Sequence, residues 1–141
     1  MRLKRTAADH WFSRCVRMRN DFICQGCGKQ YDEKSMALHC SHYFGRAKKA
    51  VRYDGLNAFA HCYGCHPRVG SNPDYFSRHY IDTSGEGALE ILREKVEDIM
   101  LGKRMSKEHS EISKHYKKES ARMENERLKG VKGWLEFESW D

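Results

Sequence analysis

The sequence predicts an α+β fold. We expect a small unit of two strands and a helix, clamped by cysteines, between an N-terminal helix and a helical C-terminal extension. Two C-x-x-C pairs predict the clamp, two short strand-compatible segments lie between them, and apolar residues recur at helical spacing on both sides. Because only 39% of the 141 residues are hydrophobic and 33% are charged, we expect a small core that a bound metal helps to hold together.

The N-terminal half supplies one helix and two strands. Thr6 is suited to cap a helix that runs to about residue 20. Trp11, Phe12, Cys15, Val16 and Met18 fall on one face of that helix. The segments 35–44 and 57–62 are predicted as strands, and the D-G turn signal at Asp54 precedes the second.

The C-terminal half is predicted to be helical. Pro73 suits the first position of a helix. Residues 84–102 predict one amphipathic helix that stops at Gly102, with an apolar face made by Leu89, Leu92, Val96, Ile99 and Met100. Residues 106–129 predict a long polar helix whose stripe (Ile112, Tyr116, Met123) is too thin to bury much. We therefore divide the chain into a core, 1–82, and an extension with a tail, 83–141.

The cysteine spacing predicts a metal site. Cys24 and Cys27 form one C-x-x-C pair, and Cys62 and Cys65 form the other. Four thiolates in tetrahedral geometry make a closed structural zinc site. The long insertion between the pairs, 28–61, exceeds the spacing of a compact ribbon, so a structural unit must lie within it. Cys15 and Cys40 remain, and we expect them to be small buried apolar residues.

The charge distribution predicts a nucleic-acid partner. The chain carries a formal net charge of +6 with a pI near 9.0. Two basic clusters contain almost no acids, and phosphate is their expected counter-ion. The first cluster, within residues 1–20, contains Arg2, Lys4, Arg5, Arg14, Arg17 and Arg19, and the second contains Arg46, Lys48, Lys49 and Arg52. In the first cluster we expect Arg14 and Arg17 to contact DNA. For Arg46 and Arg52 the alternative is solvated loop charge.

Localisation follows from what the sequence lacks. No apolar run approaches the roughly 20 residues that span a bilayer, and the basic N-terminus has no apolar segment typical of a secretory signal. We expect a soluble, intracellular protein with no membrane partner.

Histidines flank the predicted metal unit in a pattern that suggests phosphodiester chemistry. His42 lies on the first predicted strand, and His66 directly follows the second C-x-x-C pair. In a strand–strand–helix unit, a histidine on the first strand could act as a general base toward water. A divalent ion held by the helix histidine could then stabilise the phosphate and the leaving oxygen.

These residues resemble the HNH, or ββα-metal, endonuclease motif. The stretches SHYFGR, YDGLN and CYGCH would supply its three elements, His42, Asn57 and His66. The longer stretches DHWFSRCVRMRNDFICQGCG, HCSHYFGRAKKAVRYDGLNAFAHCYGCH and GSNPDY are similar to the phage NinG/Rap recombination endonucleases, over about residues 9–80.

The resemblance implies a zinc-stapled ββα-metal (HNH-like) nuclease core that acts on branched DNA, such as Holliday junctions and D-loops. It assigns zinc to Cys24, Cys27, Cys62 and Cys65, and loop bracing to Asn57. It assigns the base role to His42, and a catalytic magnesium or manganese ion to His66. It also implies the cytoplasm of a phage-infected or prophage-bearing bacterial host. Symmetric junction resolution needs two active sites, which is compatible with a homodimer.

Two positions depart from the family pattern. Many HNH nucleases have an acidic residue or a histidine directly before the base, whereas this chain has Ser41, a poor ligand. Either phosphate and water complete the ion's shell, or His39, Asp54 or His61 contributes. NinG-like sequences often have asparagine where this chain has His66, but histidine is the commoner choice among HNH nucleases.

Other interpretations of the same residues stay open. His42 could be a satisfied core or surface histidine, His66 could replace a cysteine on zinc, and Asn57 could be a turn residue. For the whole chain, the alternatives are a non-catalytic zinc-finger adaptor that binds DNA or a recombination partner, and an RNA-binding zinc knuckle. Metal-dependent cutting separates the nuclease from both.

Overall fold

The computed structural model describes residues 3–140, and within them it has a mixed α+β architecture with one two-stranded sheet and six α-helices. The elements in chain order are α1 Ala7–Arg19, β1 Leu38–His42, β2 Ala58–Cys62, α2 Cys65–Gly70, α3 Pro73–Ser84, α4 Glu86–Val96, α5 Ile99–Lys107 and α6 His109–Leu128. Among the described helices, none combines the length and the apolar character needed to cross a membrane.

Helix α1 begins where the sequence predicts. Thr6 accepts a hydrogen bond from the backbone N–H of Asp9, and the Asp9 carboxylate accepts one from the backbone of Thr6, which completes a capping box. The buried face includes Phe12, Cys15 and Val16, so the predicted cap and apolar face are confirmed.

The two strands form an antiparallel hairpin. The register pairs Leu38 with Cys62 and His42 with Ala58. Because side chains alternate across a sheet, the hairpin has two faces. The face with Leu38 and Ala60 belongs to the core cluster that contains α1. The other face carries Phe59, which belongs to the cluster with Phe76 and Tyr80 of α3.

The predicted single helix over 84–102 is two helices. Helix α4 ends at Val96, and Asp98 caps α5 by accepting a hydrogen bond from the backbone N–H of Leu101 at 3.0 Å. The break changes which face is buried: Leu89 and Leu92 lie in the core, whereas Ile99 and Met100 are each 73% exposed. Gly102, the predicted stop, lies inside α5.

The expectation that α6 buries little is wrong. Its three apolar stripe residues, Ile112, Tyr116 and Met123, are each 0% exposed. Helix α6 packs along α1, where the ring centroids of Tyr116 and Phe12 are 5.1 Å apart. The Tyr116 hydroxyl also donates a hydrogen bond to the backbone carbonyl of Tyr53. A thin stripe suffices because α1 offers a matching face, so residues from 1–82 and from 83–141 build one core.

The C-terminal segment 131–140 docks on the same core. The backbone N–H of Leu135 donates to the carbonyl of Arg19 at 2.9 Å. The Arg19 guanidinium lies 4.7 Å from the Trp134 ring centroid and 5.0 Å from that of Phe137. It also donates to the carbonyls of Gly55 and Ala58, so one buried arginine ties the tail to the start of β2.

Truncating the stripe of α6 should destabilise the whole protein. We expect Ile112→Ala to lower the free energy of unfolding by about 2–5 kcal/mol, because it removes buried methyl groups and leaves a cavity. Leu128→Ala on the same helix is the matched control; Leu128 is 82% exposed, and the expected change is within about 0.5 kcal/mol. Denaturant unfolding of metal-loaded protein measures both. Equal effects would show that α6 does not belong to the core.

Candidate metal and phosphodiester site

The four cysteines of the two C-x-x-C pairs meet in one cluster. The sulfur atoms of Cys24, Cys27, Cys62 and Cys65 all lie within 4.8 Å of one another. The first pair follows α1, and the second lies at the junction of β2 with α2. The cluster could therefore hold a metal ion such as zinc, and it would fix the start of α2 against the hairpin.

The backbone is arranged around the sulfurs. The N–H groups of Gly26 and Cys62 donate to the Cys24 sulfur at 3.3 and 3.2 Å. A Cβ at Gly26 would lie 2.8 Å from the Cys65 sulfur, so the position before the second cysteine of the first pair needs glycine for space. Gly28 has φ of +77°, a left-handed conformation that favours glycine.

The thiol pKa values fit a cation at the centre of the cluster. Burial raises the pKa of the Cys62 thiol, but backbone hydrogen bonds from Cys65 and Gly64 outweigh it and lower the value to about 6. Burial, followed by the neighbouring sulfurs of Cys62 and Cys24, raises the pKa of the Cys65 thiol to about 12. Four adjacent thiolates repel one another without a cation, and Zn²⁺ supplies the missing positive charge.

His42 is half-buried at the end of β1, beside α1. Its ring centroid is 5.9 Å from that of Phe12, and its Nε2 lies 3.0 Å from the backbone carbonyl of Arg52. A carbonyl only accepts hydrogen bonds, so Nε2 carries the proton and Nδ1 of the neutral ring keeps the lone pair.

The pKa of His42 lies well below the value near 6.5 that is ordinary for histidine. Burial lowers the pKa of His42 to about 4, although the hydrogen bond to Arg52 raises it. The ring is therefore neutral throughout the physiological range. A base with a low pKa is unprotonated at physiological pH but accepts a proton only weakly. Its contribution to the reaction rate therefore depends on how closely it is placed to the attacking water.

Asn57 holds the loop between the strands. Its Nδ2 donates to the carbonyls of Phe44 and Val51 at 2.9 and 3.0 Å, and its Oδ1 accepts from the N–H of Phe44 at 2.8 Å. The side chain is fully buried. These bonds set the path of the loop that follows His42 and carries Arg46.

His66 lies directly beside His39. His66 is the second residue of α2, His39 is on β1, and their Nδ1 atoms are 3.1 Å apart. Burial, followed by the charge on His39, lowers the pKa of His66, which favours the neutral form that binds metals. Of the alternatives to Ser41 that the sequence offered, His39 is the one that the structure places beside His66.

The other two candidate ligands are already engaged. The Asp54 carboxylate is 3.0 Å from the Lys95 amine and accepts from the backbone N–H of Leu56 at 2.9 Å. His61 Nε2 lies 2.9 Å from Nε2 of His79. Neither Asp54 nor His61 lines the groove that His39 and His66 share.

A groove of about 940 Å³ lies over these histidines, and we call it the His42 groove. His39, His42 and His66 all line it. Its basic lining residues are Arg5, Arg14, Arg17, Lys34 and Arg46. The acidic ones are Asp9, Glu33 and Glu124. Positive charge is in excess, because five basic residues face three acidic ones. Part of it is paired within the groove: Arg14 lies within 4 Å of Glu33 and Glu124, and Arg46 lies 3.8 Å from Asp9.

The predicted phosphate-binding residues divide into three groups. Arg14, Arg17 and Arg46 line the His42 groove, whereas Lys48 and Lys49 are exposed on the loop outside its lining. Arg52 is held by Asp9, with contacts of 3.0 and 2.6 Å to its two oxygens. Although burial opposes ionisation, these bonds lower the pKa of Asp9. Arg52 therefore fastens the loop to α1.

Two further basic residues line the groove: Arg5, which the sequence placed in the first basic cluster without assigning it a DNA contact, and Lys34, which the sequence did not single out. Arg5 lies just before α1, and Lys34 lies in the segment between the first cysteine pair and β1. Neither residue belongs to a motif, and only the folded chain brings both to the mouth of the His42 groove.

Comparison of the chain with protein-family models found no match, and comparisons with curated proteins and with solved structures found none either.

Proposed function

We propose that this protein is a metal-dependent DNA endonuclease of the HNH type, related to the phage NinG/Rap recombination endonucleases, and that it hydrolyses phosphodiester bonds in branched DNA. One observation carries the proposal: His42, His39 and His66 line the same groove as a set of arginines. A candidate base and candidate ion ligands would then act where phosphate is attracted.

The local architecture supports this proposal. A strand with His42, a loop held by Asn57, a second strand and a helix with His66 follow one another in the order that the resemblance implies. The cysteine cluster lies where zinc would hold α2 against the hairpin. A rigid frame of this kind keeps catalytic groups in position.

The proposed chemistry assigns one proton transfer to His42. Nδ1 accepts a proton from a water molecule, and the water oxygen attacks phosphorus while the bond to the leaving oxygen breaks. The hydrogen bond from Nε2 to Arg52 orients the ring for this transfer. A divalent ion such as magnesium or manganese, held by His66, would supply electrostatic stabilisation of the developing negative charge.

The arginines of the groove position the substrate. Arg46 and Arg17 offer guanidinium groups that can contact two phosphate oxygens at once. Such contacts are independent of sequence, which suits an enzyme that recognises the shape of a branch.

The alternative is a non-catalytic zinc-bound adaptor for DNA. A purely structural histidine would also donate a hydrogen bond to a backbone carbonyl and have a lowered pKa, as His42 does. Incubation of purified protein with supercoiled plasmid and with a four-way junction, with and without magnesium or manganese, separates the two. Metal-dependent nicking supports the nuclease, whereas tight binding without cleavage under every metal supports the adaptor.

The groove arginines should dominate the salt dependence of DNA binding. We expect the double variant Arg17→Ala, Arg46→Ala to bind all DNA sequences more weakly. The plot of log K against log salt should also become less steep, its negative slope shrinking in magnitude by about two, roughly one counter-ion per lost contact. The control is Arg93→Ala with Lys107→Ala, which removes the same charge at exposed positions outside the groove lining. Equal slopes for both double variants would place DNA elsewhere.

A further inference from the structure

Position 41 leaves the proposed catalytic ion without a conventional second ligand. Ser41 offers a neutral hydroxyl, its side chain is almost fully buried, and it does not line the His42 groove. Its Oγ has no hydrogen-bond partner within residues 3–140, which makes it the rival ligand to test.

We infer that His39 and His66 together hold the divalent ion of the His42 groove, and that His39 thereby replaces the ligand missing at position 41. Residues two apart on a strand share a face, so His39 projects from the same face of β1 as Ser41. Unlike Ser41, it is half-buried and lines the groove. The identification of this ion as catalytic rests on the proposed function, whereas its binding does not.

The separation of the two rings fits one shared ion. Metal–imidazole bonds are about 2.1 Å long, so two nitrogens 3.1 Å apart subtend an angle of about 95° at the metal. That angle is close to the right angle between neighbouring ligands in octahedral coordination. The ring planes are inclined by 69°, so the two rings do not stack in parallel.

The donor set also selects the class of ion. Imidazole pairs suit transition metals such as nickel and zinc, whereas Mg²⁺ prefers oxygen ligands and retains its waters. The donor chemistry therefore predicts binding in the order Ni²⁺, then Mn²⁺, then Mg²⁺, so that of the two ions named for catalysis manganese fits this pair better than magnesium.

Calorimetric titration with Ni²⁺ tests this assignment without DNA, on untagged protein whose cysteine cluster is already loaded with zinc. The parent should bind one Ni²⁺ per chain, and Mg²⁺ should compete poorly. His39→Ala and His66→Ala should each weaken Ni²⁺ binding by at least about 10-fold, because even the loss of a residue that only hydrogen-bonds to a metal ligand typically costs that much affinity. The double variant should lose little more than either single variant, because both residues serve one ion.

Two variants act as matched controls. Ser41→Ala removes the rival oxygen. His79→Ala opens the other close histidine pair, whose Nε2 atoms are 2.9 Å apart. Both should bind Ni²⁺ like the parent. Loss of binding in Ser41→Ala but not in His39→Ala, loss only in His79→Ala, or no binding by the parent would each overturn the assignment.

A measurement on the unmodified protein covers the case in which a variant fails to fold. With ¹⁵N-labelled histidines and excess Zn²⁺ as a diamagnetic probe, the Nδ1 resonances of His39 and His66 should shift together, and that of His42 should not. Unchanged Nδ1 resonances would mean that the two rings only share a hydrogen bond. If the protein binds the ion in this way but never cuts DNA, the proposed nuclease function is refuted, whereas the ion site at His39 and His66 is still supported.

Discussion

His42→Ala should slow DNA cleavage by about 10²- to 10⁴-fold, the usual contribution of a general base. The zinc content and the affinity for DNA should stay close to those of the parent, because His42 contacts neither the cysteine cluster nor a phosphate-binding arginine side chain in the proposed scheme. A nicking assay on folded, zinc-loaded protein under single-turnover conditions measures the effect.

The matched control for this variant is His115→Ala. Like His42, His115 has its Nε2 close to a backbone carbonyl, at 2.6 Å from that of Glu138, but it lies on α6 outside the groove lining. Removal of a structural histidine of this kind should leave the cleavage rate unchanged. If both variants cut as fast as the parent, the base is not His42.

The pKa of His42 provides an independent test of whether the His42 ring is buried in the folded protein. Because the folded value, about 4, lies below the ordinary value of 6.5, the ring should show no titration by NMR between pH 5.5 and 8. The sign for stability follows: the unfolded chain binds the proton more readily, so the free energy of unfolding falls as pH drops from about 6.5 toward 4. An inflection of the His42 ring signal near pH 6.5 would contradict the buried position.

Loss of the cluster metal should unfold the protein. Each chain should retain one zinc ion after purification without chelators, and Cys65→Ser should give unfolded or insoluble protein. Metal binding then forms part of the folding free energy, and structural zinc contributes roughly 10–16 kcal/mol in zinc-finger peptides. Elemental analysis, with circular dichroism before and after chelation, measures both quantities.

Cys40→Ser is the control for the cluster. Cys40 is half-buried and lies outside the four-sulfur group, so its substitution should leave the zinc content unchanged. A folded parent without stoichiometric zinc would refute a zinc-dependent fold.

Short sequence patterns correctly predicted those features of the fold that are set by residues close together in the sequence. Thr6 marked the start of α1, and Pro73 lies at the start of α3. The two C-x-x-C pairs predicted a shared metal cluster, and their sulfurs do meet. These predictions succeed because a cap, a first-turn proline and a two-residue cysteine turn each act over a few bonds.

Residues distant in sequence produced the errors and the omissions. The stripe of α6 looked too thin because its partner, the face of α1 that contains Phe12, lies about a hundred residues earlier. Arg52 resembled a free loop charge because Asp9, which neutralises it, belongs to α1. The lowered pKa of His42 reflects burial, which no local pattern reports.

By itself the sequence determined which cysteines form the cluster, the order of the two strands and most of the helices, and the positions of the candidate histidines, because each depends on residue type and short spacing. Only the tertiary structure decided that His39 meets His66, that α6 belongs to the core, and which arginines line the His42 groove. The physical reason is that ligand pairing, burial and ion pairing depend on distances between elements, and those distances exist only once the hairpin, α1 and α6 have packed together.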